Sequence, residues 1–182
     1  SMESVQLIRE AKSEGLSVTC ATSAHHLFFL DEDLSSFDGT LKTLPPFRTS
    51  ADREALCNGL LDETIDALVS DHRPQDLEHH DVEFILASNG MAGIESVFPV
   101  AMAGLAHKSD AHNAIIRALT IGPRSVLGLD TPHIEVGAVA NLTWYHPTQT
   151  GDVPATSAAE NRPNYHELSL IHISEPTRLT CI

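Results

Sequence analysis

The stretch Thr64-Ile65-Asp66-Ala67-Leu68-Val69-Ser70-Asp71-His72-Arg73-Pro74 decides the fold class. Ile65, Ala67, Leu68 and Val69 form a nearly continuous apolar run, as a strand covered on both faces requires. Polar and turn-forming residues follow at once, so Asp71 and His72 stand at the strand's carboxyl end. In parallel α/β folds that end carries the site, because loops there hold polar side chains over a rigid sheet. A carboxylate and an imidazole in this place suit metal binding or proton transfer. They equally suit a turn cap (Asp71) and an exposed loop position (His72).

Upstream, residues 50–61 read as a helix capped by Thr49 or Ser50, and residues 41–47, with Pro45-Pro46, as an extended loop. Residues 31–34 look helical, and 16–20 form a short β-prone run. Val5, Leu7, Ile8 and Ala11 recur at helical spacing before Gly15, so residues 3–14 read as an amphipathic helix. Downstream, a long polar loop runs to Ser88, then Asn89-Gly90-Met91-Ala92-Gly93. Helices are expected over 94–105, 110–120 and 123–127, the last with Pro123 in its first turn. Residues 134–145 differ, with a turn at Gly137 and a strand over 141–145; beyond Thr148 little pattern remains. The alternation of helices and strands gives an α/β class with parallel strands.

The chain has 182 residues, with 11 Lys+Arg against 25 Asp+Glu and a formal charge of −14. That balance excludes nucleic acid and anionic membrane as main partners, since both attract basic clusters. No apolar run approaches a membrane span, the polar start is no signal peptide, and three cysteines without metal-like spacing fit a cytoplasmic protein. Two good barrel-type strands fall short of a complete parallel barrel of about 250 residues.

Other residues invite a structural reading. His25-His26 follows a β-prone run, but adjacent histidines diverge, and packed or hydrogen-bonded imidazoles are the expectation. His79-His80 is expected to be solvated. The eight carboxylates from Asp62 to Glu83 read as a solvated face, because calcium loops need an oxygen register absent here. Arg48 and Arg53 could hold a substrate carboxylate, though local ion pairs are the commoner fate. Asn89-Gly90 and Gly93 make a tight turn without the lysine and spacing of a phosphate loop. Cys20 and Cys57 read as core cysteines.

The end of the chain needs separate treatment. Leu168-Ser169-Leu170-Ile171-His172-Ile173-Ser174-Glu175-Pro176-Thr177-Arg178 has the pattern of a short alternating strand, yet it resembles the translation of a transposase adapter used in sequencing libraries. Residues 168–182 are therefore expected to be a non-native tail. Residues 1–167 keep the same charge of −14, with Cys181, His172, Glu175 and Arg178 set outside.

Several ordered blocks carry a family resemblance: His25-His26-Leu27, Leu44-Pro45-Pro46-Phe47-Arg48, Ala51-Asp52-Arg53-Glu54-Ala55-Leu56, and Gly59 through Ala67. The blocks Ser70-Asp71-His72-Arg73-Pro74, Gly90-Met91-Ala92-Gly93-Ile94-Glu95, Gly122 through Leu129 and Val136 through Leu142 continue it. Together they resemble the dihydroorotases of the amidohydrolase superfamily over most of residues 1–145. The resemblance implies the C-terminal part of a metal-dependent (β/α)₈ TIM barrel, with strands seven and eight before His25 and Asp71. Residues 1–130 would be barrel and 131–167 the return to a small β-rich domain. The implied reaction is reversible cyclisation of N-carbamoyl-L-aspartate to dihydroorotate, in pyrimidine biosynthesis, with two zinc ions activating water and the eighth-strand aspartate relaying the proton.

Residue by residue, Asp71 matches the family's metal-binding and proton-relaying aspartate, while the other ligands would lie before Ser1. His25 and His26 sit where the family has a structural pair. Leu44 stands where many members have a substrate-binding asparagine, and Gln75 where many have a substrate-binding histidine. Asn89-Gly90 keeps the turn that lines the substrate ring, with Asn for the usual Phe. Losing an asparagine's donor and acceptor at a polar ligand costs about 1–3 kcal/mol if nothing compensates. Intact Asp71 thus favours a piece of an active enzyme, which alone would hold neither two zincs nor activity. Leu44 and Gln75 favour an inactive subunit with a structural role, for example with aspartate carbamoyltransferase. The resemblance otherwise implies a small-molecule substrate and leaves room for a homo-oligomer.

Overall fold

A computed structural model of the protein describes residues 1–139, 142–143, 145–151 and 170–173. Its centre is a pair of short parallel strands, β1 (Ala21–Ser23) and β2 (Ala67–Val69), with Ala21 opposite Ala67 and Ser23 opposite Val69. The expected strand over 64–69 is trimmed because the Ile65 amide turns away to the Gly59 carbonyl at 2.8 Å. The expected β-prone run over 16–20 leads into β1 rather than forming it. Cross-strand bonding starts only at the Cys20 carbonyl, which accepts from the Asp66 and Ala67 amides at 3.0 and 3.3 Å.

Helices α1 (Met2–Ser13), α2 (His25–Phe28) and α3 (Ser50–Leu61) are followed by α4 (Val97–Gly104), α5 (Ala111–Leu119) and α6 (Ile121–Leu127). The expected cap of α3 is present: the Thr49 hydroxyl accepts from the Asp52 amide, satisfying one of the helix's unpaired first-turn donors. Helix α6 starts two residues before the expected 123, and Pro123 still falls in its first turn, where a missing N–H leaves no bond unmade. Residues 31–36 form a 3₁₀ turn, tied by the Leu30 amide donating to the Asp33 carboxylate at 2.7 Å.

The main core gathers Val5, Leu27, Cys57, Leu60, Ile65, Leu68, Val100, Leu105 and Ile115 from both strands' surroundings and five helices. Burying each of the larger aliphatic side chains stabilises the fold by about 1.5–3 kcal/mol. Glycines allow α6 to approach the chain entering β2 and α4 to approach α2. A Cβ on Gly122 would fall 1.8 Å from the Asp66 carbonyl oxygen, and one on Gly104 2.4 Å from that of Leu27. A smaller cluster of Phe29, Phe47 and Met91 lies under the loops.

Strand β3 (Tyr145–Gly151) pairs antiparallel with β4 (Leu170–Ile173), Tyr145 facing Ile173. The turn expected at Gly137 is present, with φ +88°. Of the strand expected over 141–145, Tyr145 lies in β3 and residues 142–143 are outside any strand, while Asn141 and Trp144 lie outside the described residues. Pairing of Leu170–Ile173 is what β-branched residues beside an open edge give, whatever the origin of the stretch. Among the described residues, no helix is long and apolar enough to cross a membrane.

Candidate functional site

Parallel pairing sends β1 and β2 out of the sheet on the same side, toward His26 and Asp71. Both line a cavity of about 290 Å³ with Ser23, Pro45, Val69 and residues of α1. That size is at the lower end for small-ligand sites.

Asp71 takes φ +46°, in the left-handed region that an aspartate enters more readily than most residues. Its Oδ1 pairs with Arg73 Nε at 3.0 Å, and its side chain is 24 % exposed. Its Oδ2 has no hydrogen bond among the described residues. His72 is neither an exposed loop residue nor turned to the cavity. Its Nδ1 accepts from the Gly93 and Ile94 amides at 3.1 and 3.3 Å, which fixes a lone pair on Nδ1 and, in the neutral ring, the proton on Nε2. His72 also bridges Met91, so the chain returning from the long loop is stitched beside the chain leaving β2.

The histidine pair divides its tasks. His25 is buried in α2, and burial pushes its imidazole down to about 4, with His26 adding to the effect. A Cβ on Gly93 would fall 2.4 Å from His25 Nε2, so the ring occupies the space that a side chain at 93 would need. His26 lies between the Ser23 hydroxyl at 2.7 Å from Nδ1 and the Pro45 carbonyl at 3.2 Å from Nε2. The carbonyl can only accept, so His26 carries its proton on Nε2 and Ser23 donates to Nδ1. Burial lowers the His26 pKa as well. Both rings are neutral at neutral pH, and both are hydrogen-bonded or packed parts of the rim.

The other predicted positions fall unevenly around this rim. The Gly90 amide donates to the Lys42 carbonyl at 2.9 Å, which brings Asn89-Gly90 next to the segment that carries Leu44. Gly90 has φ +145°, and a Cβ there would meet the Arg73 carbonyl oxygen at 2.3 Å, so the turn also abuts the chain after Asp71. Asn89 and Leu44 are exposed. Gln75 is half-buried and makes no side-chain hydrogen bond among the described residues.

Arg48 and Arg53 do not reach the cavity. Arg48 faces Asp52 at 3.7 Å, and Arg53 donates to the Phe28 carbonyl at 3.1 Å. Cys57 is a core thiol, pushed up to about 11 by burial and then by Glu54. The expectation of a solvated His79-His80 pair holds for only half of it. His80 is buried, its Nδ1 donating to the Gly39 carbonyl at 2.8 Å, because the acidic loop folds back over residues 38–43. Two contributors to the rim were missed from sequence: Lys42, and Ser23 as the partner of the expected hydrogen-bonded His26. No local pattern marks Lys42, since its partners are carbonyls forty residues away.

Among the described residues, a metal in this place would find Asp71 as the carboxylate on the cavity wall. Among the described residues, no three His, Cys, Asp or Glu side chains gather to hold an ion. Asp71 lines the cavity with Cys20 and with His26, whose two ring nitrogens are already bonded, and a metal needs about four donors.

No protein-family model matches the chain. It is similar to the dihydroorotase of Geobacter sp. (strain M21), 36% identical over 163 residues, which cover 88% of this chain and 38% of that protein. The dihydroorotase of Thermus aquaticus is 37% identical over 159 residues, covering 87% of this chain and 37% of its own length. The chain thus spans about a third to two fifths of the length of the curated relatives it matches. Among solved structures, it resembles the L-hydantoinase (dihydropyrimidinase) from Arthrobacter aurescens with TM-score 0.74 and 24% identity, covering 85% of this chain and 36% of that one. The D-hydantoinase (dihydropyrimidinase) from Thermus sp. gives TM-score 0.73 at 21% identity, over 93% and 39%. The α/β arrangement described above is therefore a part of the hydantoinase fold.

Proposed function

Because the chain is a relative of the dihydroorotases, we propose that it is part of a cyclic-amide hydrolase catalysing reversible cyclisation of N-carbamoyl-L-aspartate to dihydroorotate. The carrying observation is Asp71, placed at the carboxyl end of β2 on the wall of the cavity, with Oδ2 making no hydrogen bond among the described residues. In this reading residues 1–130 are the C-terminal portion of a (β/α)₈ barrel, 131–167 return to a small β-rich domain, and 168–182 are a non-native tail.

Asp71 is the chain's one contribution to a zinc pair, the remaining donors coming from outside these residues. Zinc bound there would polarise the ring amide carbonyl and make water acidic enough to attack near neutral pH. Asp71 holds and moves the proton, from the attacking water to the leaving amide nitrogen, as a carboxylate within reach of both can. The Asn89-Gly90 backbone lines the substrate ring, with Gln75 and Leu44 on the flanking segments. His26 and Ser23, fixed in one tautomer, shape the wall. The substrate is a small molecule, and the acidic surface suits neither nucleic acid nor anionic membrane.

A second reading has its own observation. Arg73 places a guanidinium on Asp71 Oδ1, where it competes with a metal cation, and Leu44 offers no polar group to substrate. Both favour a parent protein that has lost catalysis and serves as a structural partner, for example of aspartate carbamoyltransferase. The complete protein, purified and supplied with zinc, discriminates the two: carbamoylaspartate cyclisation supports the first, while its absence with intact aspartate carbamoyltransferase binding supports the second. Neither reading survives if the complete protein cyclises nothing and binds no such partner.

A further inference from the structure

The loop between Asp71 and Met91 is held over the rim by a single basic side chain. Lys42 Nζ donates to the carbonyls of Phe84, Ile85 and Ala87 at 2.8, 3.1 and 2.7 Å. An ammonium has three protons, and here each has its own acceptor. The Phe84 ring lies 5.4 Å from the same nitrogen, a cation–π contact that adds to the hold. No carboxylate takes part. The three carbonyls belong to one stretch of one loop, and they turn inward around a cation as they would around a bound ion.

The backbone of the same residue then fixes the end of that loop, its carbonyl accepting the Gly90 amide at 2.9 Å. Elsewhere the loop is closed on itself and on its neighbour by weaker means: Ser88 donates to the His79 carbonyl at 3.0 Å, and His80 to that of Gly39 at 2.8 Å. We infer that Lys42 is a positioning residue, whose ammonium fills a carbonyl cage in the loop 76–90 and so sets the place of the Asn89-Gly90 turn. Its role in substrate binding rests on the assignment of that turn to the substrate ring. Its role in ordering the loop does not.

Arginine is a poor substitute, because a planar fork cannot meet three carbonyls grouped around one point. A detached alkylammonium of the right length is a better one. The test uses the complete protein and Lys42→Ala, with Lys42→Met as a second variant in case alanine fails to fold. Amide hydrogen exchange at Leu86, Ala87, Ser88 and Gly90 is expected to quicken about tenfold or more, with α3 and α5 unchanged. KM for carbamoylaspartate is expected to rise about tenfold and kcat to change less than about threefold, since the turn binds the ring without taking part in the proton transfer.

Propylammonium, the part of the side chain that Lys42→Ala removes, should restore both readings, and tetramethylammonium neither. Unchanged exchange in the loop overturns the inference even if the protein is active. A quickened loop with unchanged KM overturns the link to substrate. A wild-type protein that cyclises nothing defeats the proposed function, while the exchange and its rescue by propylammonium still decide the cage.

Discussion

The helical body around Leu27, Leu60 and Ile115 and the rim of loops around Asp71, Lys42 and Gly90 are held by different forces. In the body, aliphatic side chains from α1, α3, α4 and α5 fill the space against β1 and β2, and polar groups take little part. In the rim, nearly every contact is made by backbone: carbonyls on Lys42, amides on His72, and glycines pressed against Arg73 and His25. The lesson is one of tolerance. A body built on apolar area loses stability when it is hollowed, whereas a rim built on backbone loses geometry when a side chain is added or a cation removed.

Leu60 offers the harshest test of that contrast. Fully buried, its replacement by alanine should cost about 3–4 kcal/mol of global stability, read as a shift in urea midpoint. A cost near zero would mean the body is not a packed core.

His25 links the two regions, since its ring is in the body's α2 but fills the space above Gly93 in the rim. Its folded pKa, near 4, lies below its unfolded value of 6.5, so the unfolded chain takes up the proton first. This contribution is intact above pH 6.5 and is lost as pH falls toward 4, by at most about 3 kcal/mol. Urea midpoints between pH 7 and 4.5 should therefore drop more steeply in the wild type than in His25→Gln. Parallel pH profiles would remove His25 from the link.

Gly90→Ala should cost about 2 kcal/mol, because its Cβ meets the Arg73 carbonyl and φ is positive. Most of the change should appear as faster exchange in the rim rather than in α3. If exchange rises evenly through the body instead, the distinction between the two regions fails. The smallest effect is expected on the surface, at the Arg9–Asp62 pair, whose partners are 40 % and 44 % exposed. Arg9→Ala should move stability by less than about 1 kcal/mol, and a larger loss would show that the ion pair braces α1 onto the body.

The same division separates what the sequence made legible from what it did not. The Thr49 cap and the span of α3 follow from patterns within a dozen residues and appear where those patterns put them, and the strand before Asp71 keeps the second half of its expected span, 67–69. The α/β class follows from their alternation. The start of β1 was displaced because strand limits depend on the partner, and β2 offers only three residues to pair with. His80 and Lys42 were illegible for a related reason. Their partners are main-chain atoms of distant segments, which every residue type possesses and no composition reveals. Gly90 and Gly93 were read as a tight turn, but their need for a missing side chain came into view only with the Arg73 carbonyl and the His25 ring in place.

The central claim is that Asp71, at the mouth of β2, carries the proton and a metal bond in a cyclic amidase. The most direct measurement is carbamoylaspartate cyclisation, together with bound zinc, in the complete protein and its Asp71→Asn form. The account predicts that the substitution lowers kcat by about a hundredfold or more and reduces the zinc held. Unchanged turnover and zinc content in Asp71→Asn would contradict it.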